Sequence, residues 1–144
     1  MNNDTITLLK ACNSGCKNAT DSMEQVMGLL DDQKLKTLIK DFNDRHIKIG
    51  DECHQLLNDC GYDEKDPSPM AKVMSFISTE VKMLGTDNDT KKAAEIMMDG
   101  CNMGIKTISA CMNEHSLASS ESRALAEKLI ALEQQFIDEL KNFL

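Results

Sequence analysis

Residues 33–60, QKLKTLIKDFNDRHIKIGDECHQLLNDC, decide the fold of this chain. Apolar side chains recur in this stretch at alternating steps of three and four residues, the spacing of one face of an amphipathic α-helix. The residues of this stripe are Leu35, Ile39, Phe42, His46, Ile49, Cys53, Leu56 and Cys60. The stripe predicts a helix over 33–60 that packs against other helices.

Three further stretches carry similar stripes. They predict a first helix from residue 3 or 4 to about residue 30, a third long helix over 90–115 and a fourth over 120–143. The stripe residues are Leu9, Cys12, Cys16, Ala19, Met23, Val26 and Leu30 in the first helix; Ala94, Met97, Cys101, Gly104, Ile108, Cys111 and His115 in the third; and Leu125 or Ala126, Leu129, Leu132, Glu133, Phe136, Leu140 and Phe143 in the fourth.

The ends of these helices carry residues that favour helix boundaries. Asn3 or Asp4 is the expected cap of the first helix, and Asp31-Asp32 is expected to end the first helix and to cap the second. Gly61 is the expected C-terminal stop of the second helix. Ser119 or Ser120 is expected to cap the fourth.

The connection between the second and third long helices is the one stretch of loop-like composition. Residues 62–69, YDEKDPSP, predict a loop, and residues 70–84 predict a short helix. Four long helices of similar length with short connections predict an all-α domain over 1–144. The expected architecture is an antiparallel up-and-down four-helix bundle with a short extra helix between the second and third long helices.

Composition excludes several classes of function. The net charge of −8 argues against nucleic acid and against anionic lipid as partners. No apolar run is long enough to span a membrane, and the first residues do not resemble a signal peptide, so we expect a cytoplasmic chain whose six cysteines are free thiols. Because no phosphate-binding loop or hydrolase motif is present, we predict no catalytic residues.

The two halves of the chain repeat each other weakly. The Gly-Cys pair at 15–16 recurs at 100–101, 85 residues later, and the segment HIKIGDE at 46–52 resembles EQQFIDE at 133–139, 87 residues later. Equivalent positions of pseudo-twofold helix pairs meet at the centre of a bundle. The four positions that this symmetry selects also fall on the apolar stripes: Cys16, His46, Cys101 and Glu133.

These four residue types suit a metal ion. A buried imidazole, a buried carboxylate and two buried thiols are costly unless they bond to each other or to a metal. Two cysteines, one histidine and one carboxylate form a plausible tetrahedral ligand set for zinc or iron. We therefore predict Cys16, His46, Cys101 and Glu133 as ligands, with Cys12, Glu52 and Glu80 as outside candidates.

The helix pairs, the crossover with its short helix and the inward polar residues resemble the ferritin-like superfamily, in particular a bacterial branch of ferritin-like bundle proteins. Di-iron members of that superfamily place a Glu on two helices and Glu-x-x-His on the other two. Here Asn43 stands three residues before His46 in place of Glu, and Phe136 stands three residues after Glu133 in place of His. The resemblance therefore implies the fold, while the full di-iron carboxylate set is absent and the predicted metal ion rests on the four residues above.

Two alternatives remain open from the residues. In the first, the chain is a non-catalytic bundle that acts in protein–protein association or self-association as a homo-oligomer, and the inward polar groups fix helix register. In the second, Cys12 and Cys16, which lie one helical turn apart, bind Cu(I) through their thiolates.

Overall fold

A computed structural model describes residues 1–62 and 90–144. Over these ranges the chain is helical and contains no strand, as the all-α prediction requires. The elements are α1 (Asn3–Leu29), α2 (Gln33–Asp59), α3 (Thr90–Glu114), α4 (Ser120–Leu140) and a 3₁₀ turn (Lys141–Phe143). The predicted loop, the predicted short helix and the candidate Glu80 lie outside the described residues.

The N-cap of the first helix lies one residue earlier than the sequence predicts. The side-chain oxygen of Asn2 accepts a hydrogen bond from the backbone N–H of Thr5 at 2.8 Å, so Asn2 is the N-cap. The expectation that Asn3 or Asp4 caps this helix is wrong. All three residues are competent caps, and their spacing to the apolar stripe does not distinguish them.

The predicted caps of α2 and α4 are confirmed. The carboxylate of Asp32 accepts a bond from the N–H of Leu35 at 2.9 Å. The hydroxyl of Ser119 accepts one from the N–H of Ser122 at 3.2 Å. Each cap satisfies an amide that has no partner within its own helix.

Gly61 ends α2 as predicted. Its φ of +73° places it in the left-handed region, which glycine adopts without steric cost. The N–H of Tyr62 bonds to the carbonyl of Leu57 at 3.0 Å, and that of Gly61 bonds to the carbonyl of Asn58 at 2.9 Å. This pair of bonds is a Schellman motif, which closes the last turn of the helix.

The apolar stripes of the four helices form one core. Outside α2, three predicted stripe residues are only partly buried, namely Ala19, His115 and Phe143. At the end of α2 the predicted stripe is wrong, because Leu57 is buried, Leu56 is only partly buried and Cys60 is exposed. The predicted stripe repeats every seven residues, and an α-helix drifts by about 20° per seven residues. Near the end of α2 the side chain that faces the core is therefore Leu57, and not Leu56 as the seven-residue repeat predicts.

Packing pairs α1 with α2 and α3 with α4, and further contacts join the pairs. The start of α1 lies beside the end of α2, where the Cys60 thiol contacts the Met1 sulfur at 3.2 Å. It also meets the turn before α4, where the N–H of Leu117 donates to the Asp4 carboxylate at 3.0 Å. No helix in the described parts of the chain is both long and apolar enough to cross a membrane.

Candidate functional site

His46 lies in the middle of α2 with its side chain completely buried. Its Nδ1 is 2.7 Å from the carbonyl oxygen of Phe42, one turn earlier on the same helix. A carbonyl only accepts hydrogen bonds, so Nδ1 carries the proton in this contact. The other ring nitrogen, Nε2, is therefore directed away from α2 towards α4.

Glu133 on α4 forms a hydrogen bond with Nε2 of His46. Its Oε1 lies 3.0 Å from Nε2 of His46, and the glutamate is only 6% exposed. Because Nδ1 already donates to Phe42, this contact requires one further proton between Nε2 and Oε1. The pair is then either an imidazolium with a carboxylate or a neutral imidazole with a carboxylic acid.

The surroundings of His46 favour its charged form. Burial alone lowers the pKa of His46, because desolvation disfavours the imidazolium. The hydrogen bond and the negative charge of Glu133, together with the Phe42 carbonyl, outweigh burial, and the pKa of His46 is raised. The contacts of His46 therefore favour its imidazolium form over the neutral ring.

Two aromatic rings shield one side of this pair. Phe42 and Phe136 stack with ring centroids 4.5 Å apart and an interplanar angle of 9°. The His46 ring meets Phe136 edge-on at 6.5 Å. Phe136 thus covers the His46 ring with an apolar side chain that offers no ligand atom.

A cavity of about 40 Å³ adjoins the pair. Three of the four predicted ligands line it, namely His46, Cys101 and Glu133. Much of the remaining wall consists of small residues on α1 and α3. These residues are Gly15, Ala19, Ser22, Gly100 and Gly104.

Cys101 on α3 lines the same cavity as Glu133. Burial raises the pKa of Cys101 well above its ordinary value, and the neighbouring Glu133 raises it further. The thiol is therefore protonated at neutral pH. Side chains from α2, α3 and α4 thus meet at this cavity.

Cys16 occupies a different place from the other three predicted ligands. It is buried at the contact of α1 with α2, where an added Cβ at Gly50 would lie 3.2 Å from the Cys16 Cβ. Burial, the neighbouring Cys53 and the charge of Glu133 raise the pKa of Cys16. Cys16 is thus close enough to respond to Glu133 but does not line the cavity.

The outside candidates lie away from the cavity. The Cys12 thiol hydrogen-bonds that of Cys53 on α2, and this bond together with burial raises the pKa of Cys12. Glu52 forms a surface ion pair with Lys128, with 3.2 Å between carboxylate and ammonium. In residues 1–62 and 90–144, no group of three or more His, Cys, Asp or Glu side chains is arranged to hold a metal ion.

Among the buried polar residues that the sequence did not predict, two lack a hydrogen-bond partner in the part of the chain that the structure describes. Ser22 and Asn43 each have a buried side-chain oxygen without a hydrogen-bond partner. Leu8, Ala11, Gly15 and Ser22 are all buried on α1 and follow steps of three, four and seven residues, which define a second stripe beside the first. That second stripe is the signal that could have identified Ser22.

Comparisons with known proteins identify no relative of this chain, so the interpretation of the site rests on its own geometry. The chain matches no protein-family model, no curated protein and no solved structure.

Proposed function

We propose that this chain is an antiparallel four-helix bundle of ferritin-like type that binds one metal ion, zinc or iron, in its interior. His46, Glu133 and Cys101 are the proposed primary ligands. Cys16 completes the set that the sequence predicts. The pairing of α1 with α2 and of α3 with α4 supports the bundle arrangement.

The observation that carries the proposal is the orientation of His46. A histidine that binds a metal through one nitrogen commonly donates the other N–H to a backbone carbonyl or a carboxylate. The bond from Nδ1 to the Phe42 carbonyl at 2.7 Å fixes the ring in that way, with Nε2 facing a carboxylate. A metal ion would take the place of the proton that the two residues share.

The spacing of the donor atoms fits this exchange. Two ligands of a tetrahedral zinc ion, each about 2.0–2.1 Å from the metal, are separated by about 3.3 Å. The His46 nitrogen and the Glu133 oxygen are 3.0 Å apart. The side chains would need to separate by only a few tenths of an ångström to admit the ion.

The charges also balance. Without metal, an imidazolium, a carboxylate and a protonated Cys101 thiol sum to zero. A divalent ion with a neutral imidazole, a carboxylate and a thiolate also sums to zero, and two protons leave as it binds. The buried site is thus neutral in both states, which avoids the large cost of an uncompensated buried charge.

A zinc titration in competition with a coloured chelator tests the proposal. We expect Glu133→Gln and Cys101→Ser each to weaken zinc binding by at least about tenfold. Loss of a residue that only orients a metal ligand already lowers metal affinity by about that factor. Cys60→Ser is the matched control, because that thiol is exposed and distant from the cavity. Equal affinity in the wild type and in Glu133→Gln would exclude this site.

Cys16→Ser decides the role of the fourth predicted ligand. A loss of affinity comparable to that of Cys101→Ser would place Cys16 on the metal. Unchanged affinity would limit the protein ligands to His46, Glu133 and Cys101. The second outcome agrees with the position of Cys16 outside the cavity wall.

A bundle without metal is the second candidate, and the 3.0 Å bond between His46 and Glu133 is the observation that favours it. In that case the shared proton suffices, the pair fixes the register of α2 against α4, and the function is association with a partner or with another copy. Stoichiometric Cu(I) at Cys12 and Cys16, with no zinc or iron, would support the third candidate, in which these two thiols bind copper.

A further inference from the structure

Ser22 contributes to the cavity a hydroxyl that has no hydrogen-bond partner. Its side chain is 3% exposed, and it lines the cavity together with His46 and Glu133. A serine inside a helix can bond back to a carbonyl of the preceding turn, but the Ser22 Oγ does not do so. A buried hydroxyl without a partner is unfavourable, and a ligand with one polar atom in the cavity would supply that partner.

Most of the residues that line the cavity carry no polar side chain. The apolar side chains of the wall are Ala19, Met23, Met97, Ile108, Leu129 and Phe136. A buried water molecule usually needs two to four polar partners, and this wall is poor in them. A ligand that suits the wall therefore carries an apolar part besides the one polar atom that bonds to Ser22.

The charge of the wall favours a neutral ligand. His46 and Glu133 together carry no net charge, whether the proton between them lies on the imidazole or on the carboxyl group. The Cys101 thiol is also uncharged, because burial raises its pKa. An ionic ligand would be buried without a counter-charge, which is costly.

The size of the cavity limits the ligand further. Its volume is about 40 Å³. A single water molecule needs about 10–15 Å³, and an apolar cavity of about 150 Å³ holds benzene. On this scale the ligand has about two non-hydrogen atoms, and rings are excluded.

The cavity approaches the surface between α1 and α3. The partly exposed residues of its wall are Asn18 and Ala19 on α1 and Gly100 on α3, whereas the other lining residues are buried. Because Gly100 has no side chain, this rim is the part of the wall that obstructs a small molecule least.

We propose that the cavity binds a neutral molecule of about two non-hydrogen atoms, whose oxygen hydrogen-bonds the Ser22 hydroxyl and whose carbon contacts the apolar wall. Methanol, with one carbon and one oxygen, is the simplest molecule of this class. The proposal goes beyond the metal site and does not depend on it, because the Ser22 hydroxyl and the apolar wall belong to the chain itself.

A nuclear magnetic resonance titration of the full chain with methanol, in the presence of a chelator, tests this proposal. The amide signals of Ser22, Gly100 and Gly104 should shift and then saturate. The limit on binding free energy per ligand atom places the Kd at about 6 mM or higher. tert-Butanol, which is too large for the cavity, should cause no saturable shift at these amides.

Ser22→Ala separates the hydrogen bond from the space itself. The variant should weaken methanol binding by about two- to tenfold, since the ligand loses one hydrogen bond. Xenon is an apolar atom that forms no hydrogen bond, so it should bind Ser22→Ala at least as tightly as wild type. The variant should fold, because the hydroxyl that it removes has no partner.

Ser116→Ala is the matched control, because Ser116 is an exposed serine in the turn between α3 and α4. It should bind methanol as wild type does. Methanol shifts in wild type that never saturate, or the same Kd in wild type and in Ser22→Ala, would overturn the proposal. Because the chelator keeps metal away in every titration, these outcomes leave the proposed metal site to its own test.

Discussion

His46 and Glu133 lie 87 residues apart in the chain, yet the His46 Nε2 and the Glu133 Oε1 are 3.0 Å apart in the core. The Phe42 carbonyl accepts a hydrogen bond from the other ring nitrogen of His46. Because Phe42 lies on the same helix as His46, this bond fixes the orientation of the imidazole within α2. The two residues also occupy equivalent positions in the weak repeat of the sequence. Their contact is therefore the part of the site that both sequence and structure support.

The stability of the metal-free protein should fall as the pH rises above the ordinary pKa of histidine. Glu133 raises the pKa of His46 in the folded state, so folding is favoured by proton binding. The stabilisation is complete below about pH 6.5, the unfolded value, and is lost as the pH rises through the folded value. Urea denaturation in the presence of a chelator, at a series of pH values, measures this trend.

Glu133→Gln should reverse the sign of this pH dependence. Without the carboxylate, burial becomes the dominant influence and lowers the pKa of His46. The variant should then be most stable above about pH 6.5 and lose stability as the pH falls. A pH dependence with the same sign as wild type would show that Glu133 does not determine the charge of His46.

Two glycines inside helices should respond in opposite ways to alanine. A Cβ at Gly28 meets no atom within 4 Å, so Gly28→Ala should raise the free energy of unfolding by about 0.5–1 kcal/mol through helix propensity. A Cβ at Gly50 would stand 3.2 Å from the Cys16 Cβ. Gly50→Ala should therefore force α1 from α2 and lower stability by about 1–3 kcal/mol.

Thermal or urea unfolding of the two variants beside wild type provides the measurement. Each serves as the control for the other, because both replace a helical glycine by the same residue. Stabilisation by Gly50→Ala would mean that α1 and α2 separate at little cost in free energy. Cys16 would then be less tightly packed against Gly50 than the 3.2 Å distance indicates.

One cysteine should react with a maleimide far faster than the other five. Cys60 is exposed, whereas Cys12, Cys16, Cys53, Cys101 and Cys111 are buried. Burial also raises the pKa of Cys16 and Cys101, which removes the reactive thiolate. Mass spectrometry should show one rapid modification in wild type and none in Cys60→Ser. Rapid modification at Cys16 or Cys101 would contradict the closed core.

The helices could be predicted because their signals are local. Asp32 and Ser119 were identified as caps because a short polar side chain before an apolar stripe has few other roles. Gly61 was identified because only glycine adopts a positive φ without strain. The prediction that Leu56 is buried near the end of α2 is wrong, because Leu57 is buried there instead. Both residues are leucines, so residue type alone cannot show which of them faces the core.

The site could be predicted only in part because burial does not specify neighbours. The stripes correctly placed Cys16, His46, Cys101 and Glu133 inside the core. They could not show that Cys16 faces α2 at Gly50 while Cys101 lines the cavity with Glu133, since that depends on how the helices rotate and cross. The second stripe on α1 predicts that Ser22 is buried, but a sequence pattern cannot show that its side chain faces a cavity.

Elemental analysis of the purified protein decides whether His46, Glu133 and Cys101 bind a metal ion, as we propose. Plasma mass spectrometry should be applied to protein purified anaerobically without a histidine tag, beside Glu133→Gln purified in the same way. We predict about one zinc or iron per chain in wild type and a large loss of that metal in the variant. Fully helical wild-type protein without metal, which also takes up none when zinc or ferrous iron is added, would contradict the claim.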